Sequence, residues 1–360
     1  MRTDTRDRDL ATVAQLADFD EIIDTRSESE FAEDHVPGAV NFPVLNDEER
    51  VRVGTLYKQV SAFDAKKLGA ALVSRNIAHH IETAFAQRPR TWRPLIYCWR
   101  GGSRSGALAH VLQQVGWRAA RLEGGYKSFR RAVIDDLEVM PGRYSWRVVC
   151  GLTGSGKSRL LRALAASGAQ VLDLEALAAH RGSVLGNLPD APQPAQKMFE
   201  SLVWSALRGF DRGQPVFVEA ESKKIGNLRV PQTLIDAMWS SACVQLNATV
   251  DLRVEMLMDE YRHFVEDAPA LGIQLDCLVS HYGRERIAAW KQRAADADWQ
   301  TLVRELLEIH YDPAYTRSTL NHYPQLAQGP ALTVMANNDE AFANAAAQCI
   351  ADVARHSRHG

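Results

Sequence analysis

The chain has 360 residues, of which 46% are hydrophobic and 24% are charged, and this length favours about two globular domains. Its 42 Lys and Arg residues nearly balance its 44 Asp and Glu residues, so the net charge does not indicate a nucleic-acid-binding protein. The five cysteines include no Cys-x-x-Cys pair, which argues against a disulfide framework and a structural zinc site. The charged N-terminus and the lack of a long apolar run argue against secretion and a membrane span. We therefore expect a cytoplasmic protein with no membrane partner.

The charges are unevenly distributed along the chain. Residues 1–50 contain fourteen acidic and five basic residues, whereas residues 88–131 contain ten basic residues and one acidic residue, Glu123. A charged run is most often a solvated surface. This basic stretch surrounds Cys98, and a reactive cysteine at its centre favours an anionic partner instead.

A strand, a loop and a helix follow one another around Cys98. The apolar segment Pro94–Tyr97 predicts a buried strand, and residues 106–115 have the apolar spacing of a helix. A loop that leads into a helix N-terminus binds anions through its backbone N–H groups and the helix dipole. A cysteine placed there should have a depressed pKa and react as the thiolate, although a buried structural cysteine is the alternative. We predict that Cys98 is catalytic and that the residues of its loop bind an anion, namely Arg100, Gly101, Gly102, Ser103 and Arg104.

Four segments of the first part of the chain together resemble a rhodanese domain. They are Asp24-x-Arg26, residues 35–41, the Cys98 loop and residues 122–126, which read Leu-Glu-Gly-Gly-Tyr. The resemblance covers residues 9–138. It implies that Cys98 carries sulfur or selenium as a persulfide or a selenylsulfide.

The spacing within the Cys98 loop leaves a second interpretation open. Five residues separate Cys98 from Arg104, as in protein tyrosine phosphatases, rather than the four of many sulfurtransferases. The loop can hold a phosphoryl ester or selenophosphate equally well. A Cys-loop phosphatase with an appended nucleotide-binding domain is therefore the alternative function.

A second anion-binding motif begins after the apolar segment Trp146–Cys150. Residues 151–158 match Gly-x-x-x-x-Gly-Lys-Ser between a predicted strand and a predicted helix over residues 159–166, which is the context of a P-loop. Loop N–H groups would cradle phosphates, the lysine would add a point charge and the serine could coordinate magnesium. The predicted phosphate-binding residues are Gly151, Thr153, Gly154, Ser155, Gly156, Lys157 and Ser158.

Acidic residues that could assist the P-loop follow two later segments. Residues 215–218 predict a strand that ends at Glu219 and Glu221, where P-loop proteins place an acid. That acid is usually Asp, so its replacement by Glu weakens the prediction of ATP hydrolysis and leaves room for a diphosphate other than a nucleotide. Asp173 is a further candidate, with helix capping as the equal alternative. We predict no certain metal ligand.

The rest of the chain is predicted to be mainly helical. Residues 254–265 and 287–309 have long amphipathic patterns, residues 310–315 are expected to end that helical run, and residues 339–354 predict a last helix. The predicted fold class is α/β, with a rhodanese-like domain over residues 9–138 and a P-loop domain with helical additions over residues 145–335. A C-terminal helix and tail would occupy residues 336–360.

The order of these motifs closely resembles that of the bacterial tRNA 2-selenouridine synthases. Residues 54–59, residues 218–226 and Tyr311-Asp312-Pro313 extend the resemblance over nearly the whole chain. It implies a tRNA partner whose wobble 2-thiouridine receives selenium from selenophosphate, through an S-geranyl intermediate made from geranyl diphosphate. Cys98 would then take up the selenium, and the P-loop would hold the geranyl diphosphate, with Mg²⁺ as a candidate cofactor. A separate enzyme would supply selenophosphate. A noncatalytic P-loop regulator that uses Cys98 as a redox sensor is a third interpretation of the sequence.

Overall fold

The computed structural model of the chain describes residues 9–183, 185–189 and 191–356. These residues form two units. The first unit comprises the described residues up to Asp136 together with Glu200–Ser205, and the second comprises Leu137–Phe199 and the described residues from Ala206 onward. Residues 357–360 of the predicted tail lie outside the described part of the chain.

The first unit is built around a five-stranded parallel sheet with the order β1-β5-β4-β2-β3. All four residues of the central strand β4 are buried, as expected for a parallel sheet with both faces covered. The strands are β1 (Leu10–Ala11), β2 (Glu21–Asp24), β3 (Val40–Asn41), β4 (Pro94–Tyr97) and β5 (Ala120–Leu122). The helices are α1 (Glu28–Glu33), α2 (Asp47–Gln59), α3 (Ala62–Glu82), α4 (Ser103–Val115) and α5 (Gly125–Val139).

The core of the first unit fixes both ends of the Cys98 loop. Ile96 of β4 and Leu108 and Leu112 of α4 are fully buried in one hydrophobic cluster. Helix α4 then ends at Gly116, which adopts the left-handed conformation that commonly closes a helix. Because β4 and α4 pack in the same core, the loop between them is held at the carboxyl edge of the sheet, where α/β folds place their ligands.

The second unit contains another five-stranded parallel sheet, with the order β12-β11-β6-β8-β7, and a separate antiparallel pair, β9 and β10. The strands are β6 (Trp146–Cys150), β7 (Gln170–Leu172), β8 (Val216–Glu219), β9 (Lys224–Ile225), β10 (Leu228–Arg229), β11 (Ala242–Asn247) and β12 (Ala331–Thr333). The helices nearest the sheet in sequence are α6 (Lys157–Ala166), α7 (Leu174–Leu177), α8 (Gln196–Arg208) and α9 (Gln232–Trp239), and the middle of α8, Glu200–Ser205, belongs to the first unit.

The C-terminal half of the second unit is mainly helical. Its helices are α10 (Val250–Glu260), α11 (Arg262–Glu266), α12 (Ala268–Asp276), α13 (Val279–Ala295), α14 (Trp299–Glu305), α15 (Asp312–His322) and α16 (Asp339–His356). Leu160 and Leu164 of α6 pack with Phe342 and Ala346 of α16 in the core of the sheet. Leu275, Trp290 and Leu302 belong to a second hydrophobic cluster among the later helices.

The predicted long helices are interrupted. The pattern over residues 254–265 breaks at Tyr261, whose φ of −109° and ψ of 31° separate α10 from α11. The pattern over residues 287–309 breaks at Ala297, which has a φ of 56°, before α14 begins. The apolar spacing continues across both breaks because the shorter helices on each side still bury apolar faces. Val254 and Leu257 of α10 belong to one hydrophobic cluster, and Phe264 of α11, Ile287 of α13 and Leu302 of α14 belong to another.

The prediction that residues 310–315 end the helical run is wrong. A π-helical segment, Leu306–Tyr311, joins α14 to α15, and Pro313 lies in the first turn of α15. Proline is tolerated there because the first helical N–H groups have no partner within the helix.

The predicted α/β class with a helical C-terminal region is confirmed by the two parallel sheets and the helices that follow them. No helix in the described ranges is long and apolar enough to cross a membrane.

Candidate functional site

Cys98 lies directly after β4, with 3% of its surface exposed. The Ser105 hydroxyl, in the first turn of α4, donates a hydrogen bond to the Cys98 Sγ atom over 3.2 Å. Ser105 is itself fully buried. The sulfur atom therefore has a fixed hydrogen-bond donor from the helix that follows the loop.

The pKa of the Cys98 thiol lies below its usual value. Burial acts against this shift, because it disfavours the charged thiolate. Hydrogen bonds from the Ser105 hydroxyl and from the N–H groups of Ser105 and Arg100 outweigh burial, with help from the charge of Arg104. The loop thus favours the nucleophilic form of Cys98.

The two arginines of the loop have different surroundings. Arg104 Nη1 lies 2.8 Å from Glu30 Oε2 in a partly buried ion pair. Arg100 is exposed, and the structure shows no carboxylate partner for it within the described ranges. Gly102 and Ser103 are also exposed, whereas Gly101 is partly buried. Arg100 is therefore available to meet an incoming anion, while Arg104 acts on Cys98 through its charge.

Gly125 holds the loop against the start of α5 and was not singled out from the sequence. Its φ is +60°, and a Cβ atom there would lie 2.3 Å from the Cys98 carbonyl oxygen. The next two residues, Tyr126 and Lys127, donate backbone hydrogen bonds to the carbonyl oxygens of Cys98 and Trp99 over 2.8 and 3.1 Å. Only glycine fits this close approach. The Gly-Gly pair of the rhodanese-like segment was the available sequence signal.

A buried polar network fixes Tyr126. Arg26 and Asp24 form a buried ion pair with 2.6 Å between Nη2 and Oδ2, and the Arg26 guanidinium lies 4.0 Å from the centroid of the Tyr126 ring. The Tyr126 hydroxyl donates to Asp34 Oδ2, and the Ser201 hydroxyl donates to Asp34 Oδ1, each over 2.8 Å. These bonds anchor the residue that in turn holds the Cys98 loop.

Part of the basic stretch is used in ion pairs. Arg88 pairs with Glu21 over 2.7 Å, Arg131 with Asp135 over 3.1 Å, and Arg130 with Glu200. The exposed cations of the stretch for which the described residues provide no ion pair are Arg90, Arg93, Arg100, Arg118 and Lys127. The surface that can meet an anionic partner is therefore smaller than the sequence count suggests.

The phosphate loop of the second unit runs from β6 into α6. Gly156 precedes the helix with a φ of +84°, and a Cβ atom there would lie 2.4 Å from Cζ of Phe342. Lys157 Nζ donates to the Gly151 carbonyl oxygen over 2.8 Å, and the Gly151 N–H donates to the Tyr315 hydroxyl over 2.7 Å. These contacts hold the two ends of the loop together.

The middle of the phosphate loop is supported from α10. The Thr153 carbonyl oxygen accepts a hydrogen bond from Arg253 Nε over 2.8 Å, and Arg253 also forms an ion pair with Asp312 at 2.5 Å. Gly154 has a φ of +75°. The hydroxyl of Ser155 is buried and has no hydrogen-bond partner among the described residues.

Ser158 contacts one of a group of buried carboxyl groups. Its hydroxyl donates to Glu175 Oε2 over 2.9 Å, and the Glu175 N–H donates to Glu219 Oε1 over 2.9 Å. Burial raises the pKa of Glu175, raises that of Glu219 well above its usual value and raises that of Glu221 to about 8. Neighbouring carboxylates add to each of these shifts. The group therefore favours protons or a cation.

Asp173 and Glu175 differ in the groups that their side chains contact. Its side chain accepts a hydrogen bond from the Ala176 N–H over 2.8 Å and caps α7, which is the alternative that the sequence left open. Glu175, two residues later, is the residue that reaches Ser158. The role of Glu175 could not be predicted from the sequence, because both acids follow β7 closely and no local pattern decides which of them turns toward the loop.

A cavity of about 800 Å³ adjoins the phosphate loop. It brings together Thr153, Gly154, Gly156, Lys157, Ser158, Asp173 and Glu221 of the predicted site. Further cations line it, namely Arg162, Arg181, Lys223 and Lys224. Glu219 is 1% exposed and is not part of the lining. The cavity is suited to a phosphorylated ligand.

Known proteins match both units. Residues 9–132 match the rhodanese-like domain family, and residues 144–275 match the AAA domain of tRNA 2-selenouridine synthase. A tRNA 2-selenouridine synthase of Sulfurovum sp. is 37% identical over 325 residues, which cover 82% of this chain and 87% of that protein. The chain belongs to the tRNA 2-selenouridine synthase family. The predicted family, its rhodanese-like and P-loop-type architecture, and an enzyme of this kind are thereby confirmed.

Two further relatives carry the same description. The tRNA 2-selenouridine synthase of Hydrogenovibrio crunogenus is 39% identical over 274 residues, covering 72% of this chain and 73% of that protein. The corresponding protein of Nitrosomonas europaea is 36% identical over 247 residues, covering 67% of this chain and 63% of that protein. The family resemblance thus includes both units and is not limited to one motif.

Proposed function

We propose that this chain is a tRNA-modifying enzyme that converts 2-thiouridine at the wobble position to 2-selenouridine. Selenophosphate supplies the selenium, and geranyl diphosphate first alkylates the sulfur to give an S-geranyl intermediate. The observation that carries the proposal is that a chain of this family combines a cysteine with a lowered thiol pKa and a cavity lined by the phosphate loop. The enzyme would work in the cytoplasm, where a separate enzyme supplies selenophosphate.

Geranyl transfer is assigned to the second unit. The sulfur of 2-thiouridine attacks C1 of geranyl diphosphate, a C–S bond forms, and the C–O bond to the diphosphate breaks. Lys157 and the loop N–H groups stabilise the negative charge that develops on the departing diphosphate. The base loses its N3 proton, and the ionised form of Glu221, which lines the cavity, is the candidate acceptor.

The residues around Ser158 fit a magnesium ion. Ser158 and Glu175 offer the oxygen donors that Mg²⁺ prefers, and Glu219 has a buried carboxylate oxygen without a hydrogen-bond partner. No group of three or more His, Cys, Asp or Glu side chains in the described ranges could hold a metal ion. Phosphate oxygens and water would therefore complete the coordination. The ion would neutralise charge on the diphosphate.

Selenium release is assigned to Cys98. Its thiolate attacks the phosphorus of selenophosphate, an S–P bond forms, and the P–Se bond breaks to release hydrogen selenide. Selenide then adds at C2 of the base, the C–S bond breaks, and geranylthiol leaves. Water hydrolyses the S–P bond and restores Cys98. A selenylsulfide on Cys98, which the family resemblance implies, would require a two-electron oxidant, because selenium in selenophosphate is already fully reduced.

The tRNA is expected to contact the exposed cations of the basic stretch. Arg100 lies in the Cys98 loop itself, and Arg118 and Lys127 are exposed in the same unit. Contacts to phosphates give affinity that falls as salt rises. The wobble base is read unpaired, as is usual for RNA recognition outside helices.

The decisive experiment is mass spectrometry of nucleosides from 2-thiouridine-containing tRNA. The tRNA is incubated with the protein, selenophosphate and geranyl diphosphate, and each small molecule is omitted in turn. We expect S-geranyl-2-thiouridine without selenophosphate and 2-selenouridine when both are present. Unchanged 2-thiouridine under all conditions would reject the proposal, and Cys98-dependent hydrolysis of an aryl phosphate would then favour the phosphatase alternative.

Two substitutions separate the roles of the two units. Cys98→Ser should abolish selenation and leave geranylation intact, whereas Lys157→Ala should slow geranylation by about 10²-fold. Cys277→Ser and Lys66→Ala, both at exposed positions, are the matched controls. Full selenation by Cys98→Ser would remove this residue from the mechanism. Radiolabelled phosphorus on Cys98 after a short reaction with selenophosphate would support the S–P intermediate.

A further inference from the structure

A second cavity, of about 60 Å³, lies among the helices of the second unit. Its lining is almost entirely hydrophobic and comes from α10, α11, α12, α14 and the π-helical segment. We call it the apolar pocket. The side chains used in the argument are Met258, Phe264, Leu271, Val303, Leu306 and Leu307.

The apolar pocket adjoins the cavity at the phosphate loop. Thr153, Ser183, Leu257 and Tyr261 line both. Thr153 belongs to the phosphate loop, and a Cβ atom on its neighbour Gly154 would lie 2.8 Å from Leu257. One ligand with a phosphate end and an apolar end can therefore occupy both spaces.

Three hydroxyl groups at the boundary, those of Ser183, Tyr261 and Tyr311, are already partnered. The Ser183 and Tyr261 hydroxyls lie 3.3 Å apart, and the Tyr311 hydroxyl also interacts with Ser183. On the side of the phosphate cavity, the Arg181 guanidinium lies 4.7 Å from the centroid of the Tyr261 ring. A nucleobase in the apolar pocket would lose its hydrogen bonds to water without replacement, which is unfavourable. A hydrocarbon chain has no such requirement.

We propose that the apolar pocket holds the hydrocarbon chain of the diphosphate substrate and limits the length of that chain. The inference rests on the proposed function and extends it, because it names residues that select the prenyl group. The small volume suits the distal part of a short chain. The hydrocarbon chain of the substrate enters beside Tyr261 and contacts Val303 and Met258 within the pocket.

The test uses the full chain and two opposite changes of pocket size. Val303→Trp fills the pocket, and Met258→Ala enlarges it; both side chains are only partly buried, so both variants are expected to fold. Val51→Trp, at a position that is 67% exposed in the first unit, controls for added bulk. Dissociation constants are measured for inorganic diphosphate and for dimethylallyl, geranyl and farnesyl diphosphates.

For the unmodified chain, we expect geranyl diphosphate to bind about 10-fold or more tightly than inorganic diphosphate. Val303→Trp should remove that preference and bind dimethylallyl diphosphate more tightly than geranyl diphosphate. Met258→Ala should strengthen the binding of farnesyl diphosphate relative to that of geranyl diphosphate. Equal binding of geranyl and inorganic diphosphate by the unmodified chain, or an unchanged preference in Val303→Trp, would overturn the inference. Prenyl transfer to tRNA is measured separately, so its absence alongside the expected binding would reject the proposed function and leave the pocket in place.

Discussion

The Cys98 loop of the first unit and the phosphate loop of the second unit both join a strand to a helix N-terminus, yet their side chains create opposite electrostatic surroundings. At Cys98, hydrogen-bond donors and Arg104 outweigh burial and lower the pKa of the thiol. At the phosphate loop, burial and the negative charge of neighbouring carboxylates raise the pKa of Glu175, Glu219 and Glu221. The same backbone geometry therefore surrounds a thiol that favours its ionised form in one unit and carboxyl groups that favour their protonated form in the other.

This difference separates what backbone and side chains contribute to an anion site. Backbone N–H groups and the helix dipole provide general affinity for anions in both loops. The side chains decide whether the bound anion is attacked or held. A carboxyl group with a raised pKa can stay protonated and neutral beside a bound diphosphate, or it can release its proton there. The thiolate, in contrast, must stay charged to react.

The largest expected effect comes from closing the space beside Cys98. Gly125→Ala places a Cβ atom 2.3 Å from the Cys98 carbonyl oxygen, so we expect a loss of about 3 kcal/mol or more in the free energy of unfolding and loss of selenation. Gly142→Ala, outside both loops, is the control, because nothing lies within 4 Å of the added atom. Chemical denaturation and the nucleoside assay measure both variants. A stable, fully active Gly125→Ala would contradict the structure of the loop.

The second prediction concerns the acids of the phosphate cavity. The pKa of Glu221 is raised from 4.5 to about 8, so its contribution to stability is present below pH 4.5 and is lost as pH rises through 8. Glu221→Gln stays neutral and should be more stable than the unmodified chain at pH 9 by a few kcal/mol, with little difference near pH 4.5. Unfolding at both pH values checks this, with Glu308→Gln as the exposed control. An identical pH profile for the two chains would contradict it.

A smaller effect should follow removal of the hydrogen bond to Cys98. Ser105→Ala deletes a donor 3.2 Å from the sulfur atom, so the pKa of Cys98 should rise and its alkylation at pH 7 should slow by up to about 10-fold. Rates are read on the Cys98 peptide by mass spectrometry across a range of pH. Ser103→Ala, an exposed position in the same loop, should leave the rate unchanged. Equal slowing by both variants would show that the hydroxyl has no special role.

The smallest effect concerns the basic surface. Arg118→Ala should weaken tRNA binding modestly and lower the salt dependence by about one phosphate contact. Arg131, which pairs with Asp135, provides the comparison, and Arg131→Ala should change the slope less. Binding measured over a range of salt concentrations distinguishes them. A larger change in the salt dependence for Arg131→Ala than for Arg118→Ala would place the tRNA contact at Arg131 instead.

Sequence reasoning worked best where a strand, a loop and a helix are consecutive. The Cys98 loop and the phosphate loop could be predicted because their chemistry and their supporting elements lie within a few residues. Partners distant in sequence could not be predicted. The pairing of Arg104 with Glu30 joins residues 74 positions apart, and no local pattern reports it.

The helical half of the second unit shows a related limit. Apolar periodicity predicted helices there, but it did not locate the breaks at Tyr261 and Ala297, because packing can continue across a change of direction. Periodicity also gave no indication that Met258 and Val303, far apart in sequence, line one pocket. Pockets between helices depend on crossing geometry, which one sequence does not reveal.

The contribution of Glu200–Ser205 to the first unit has a consequence for biosynthesis. Ser201 is bonded to Asp34, and the Trp204 and Phe129 ring centroids lie 5.4 Å apart. A ribosome completes the rest of that unit well before it reaches these residues. During that interval, Asp34 and Phe129 of the nascent polypeptide lack their contacts with Ser201 and Trp204. Such exposed surface invites chaperone binding or aggregation. A fragment for recombinant production that stops near residue 138 would therefore need these six residues supplied by other means.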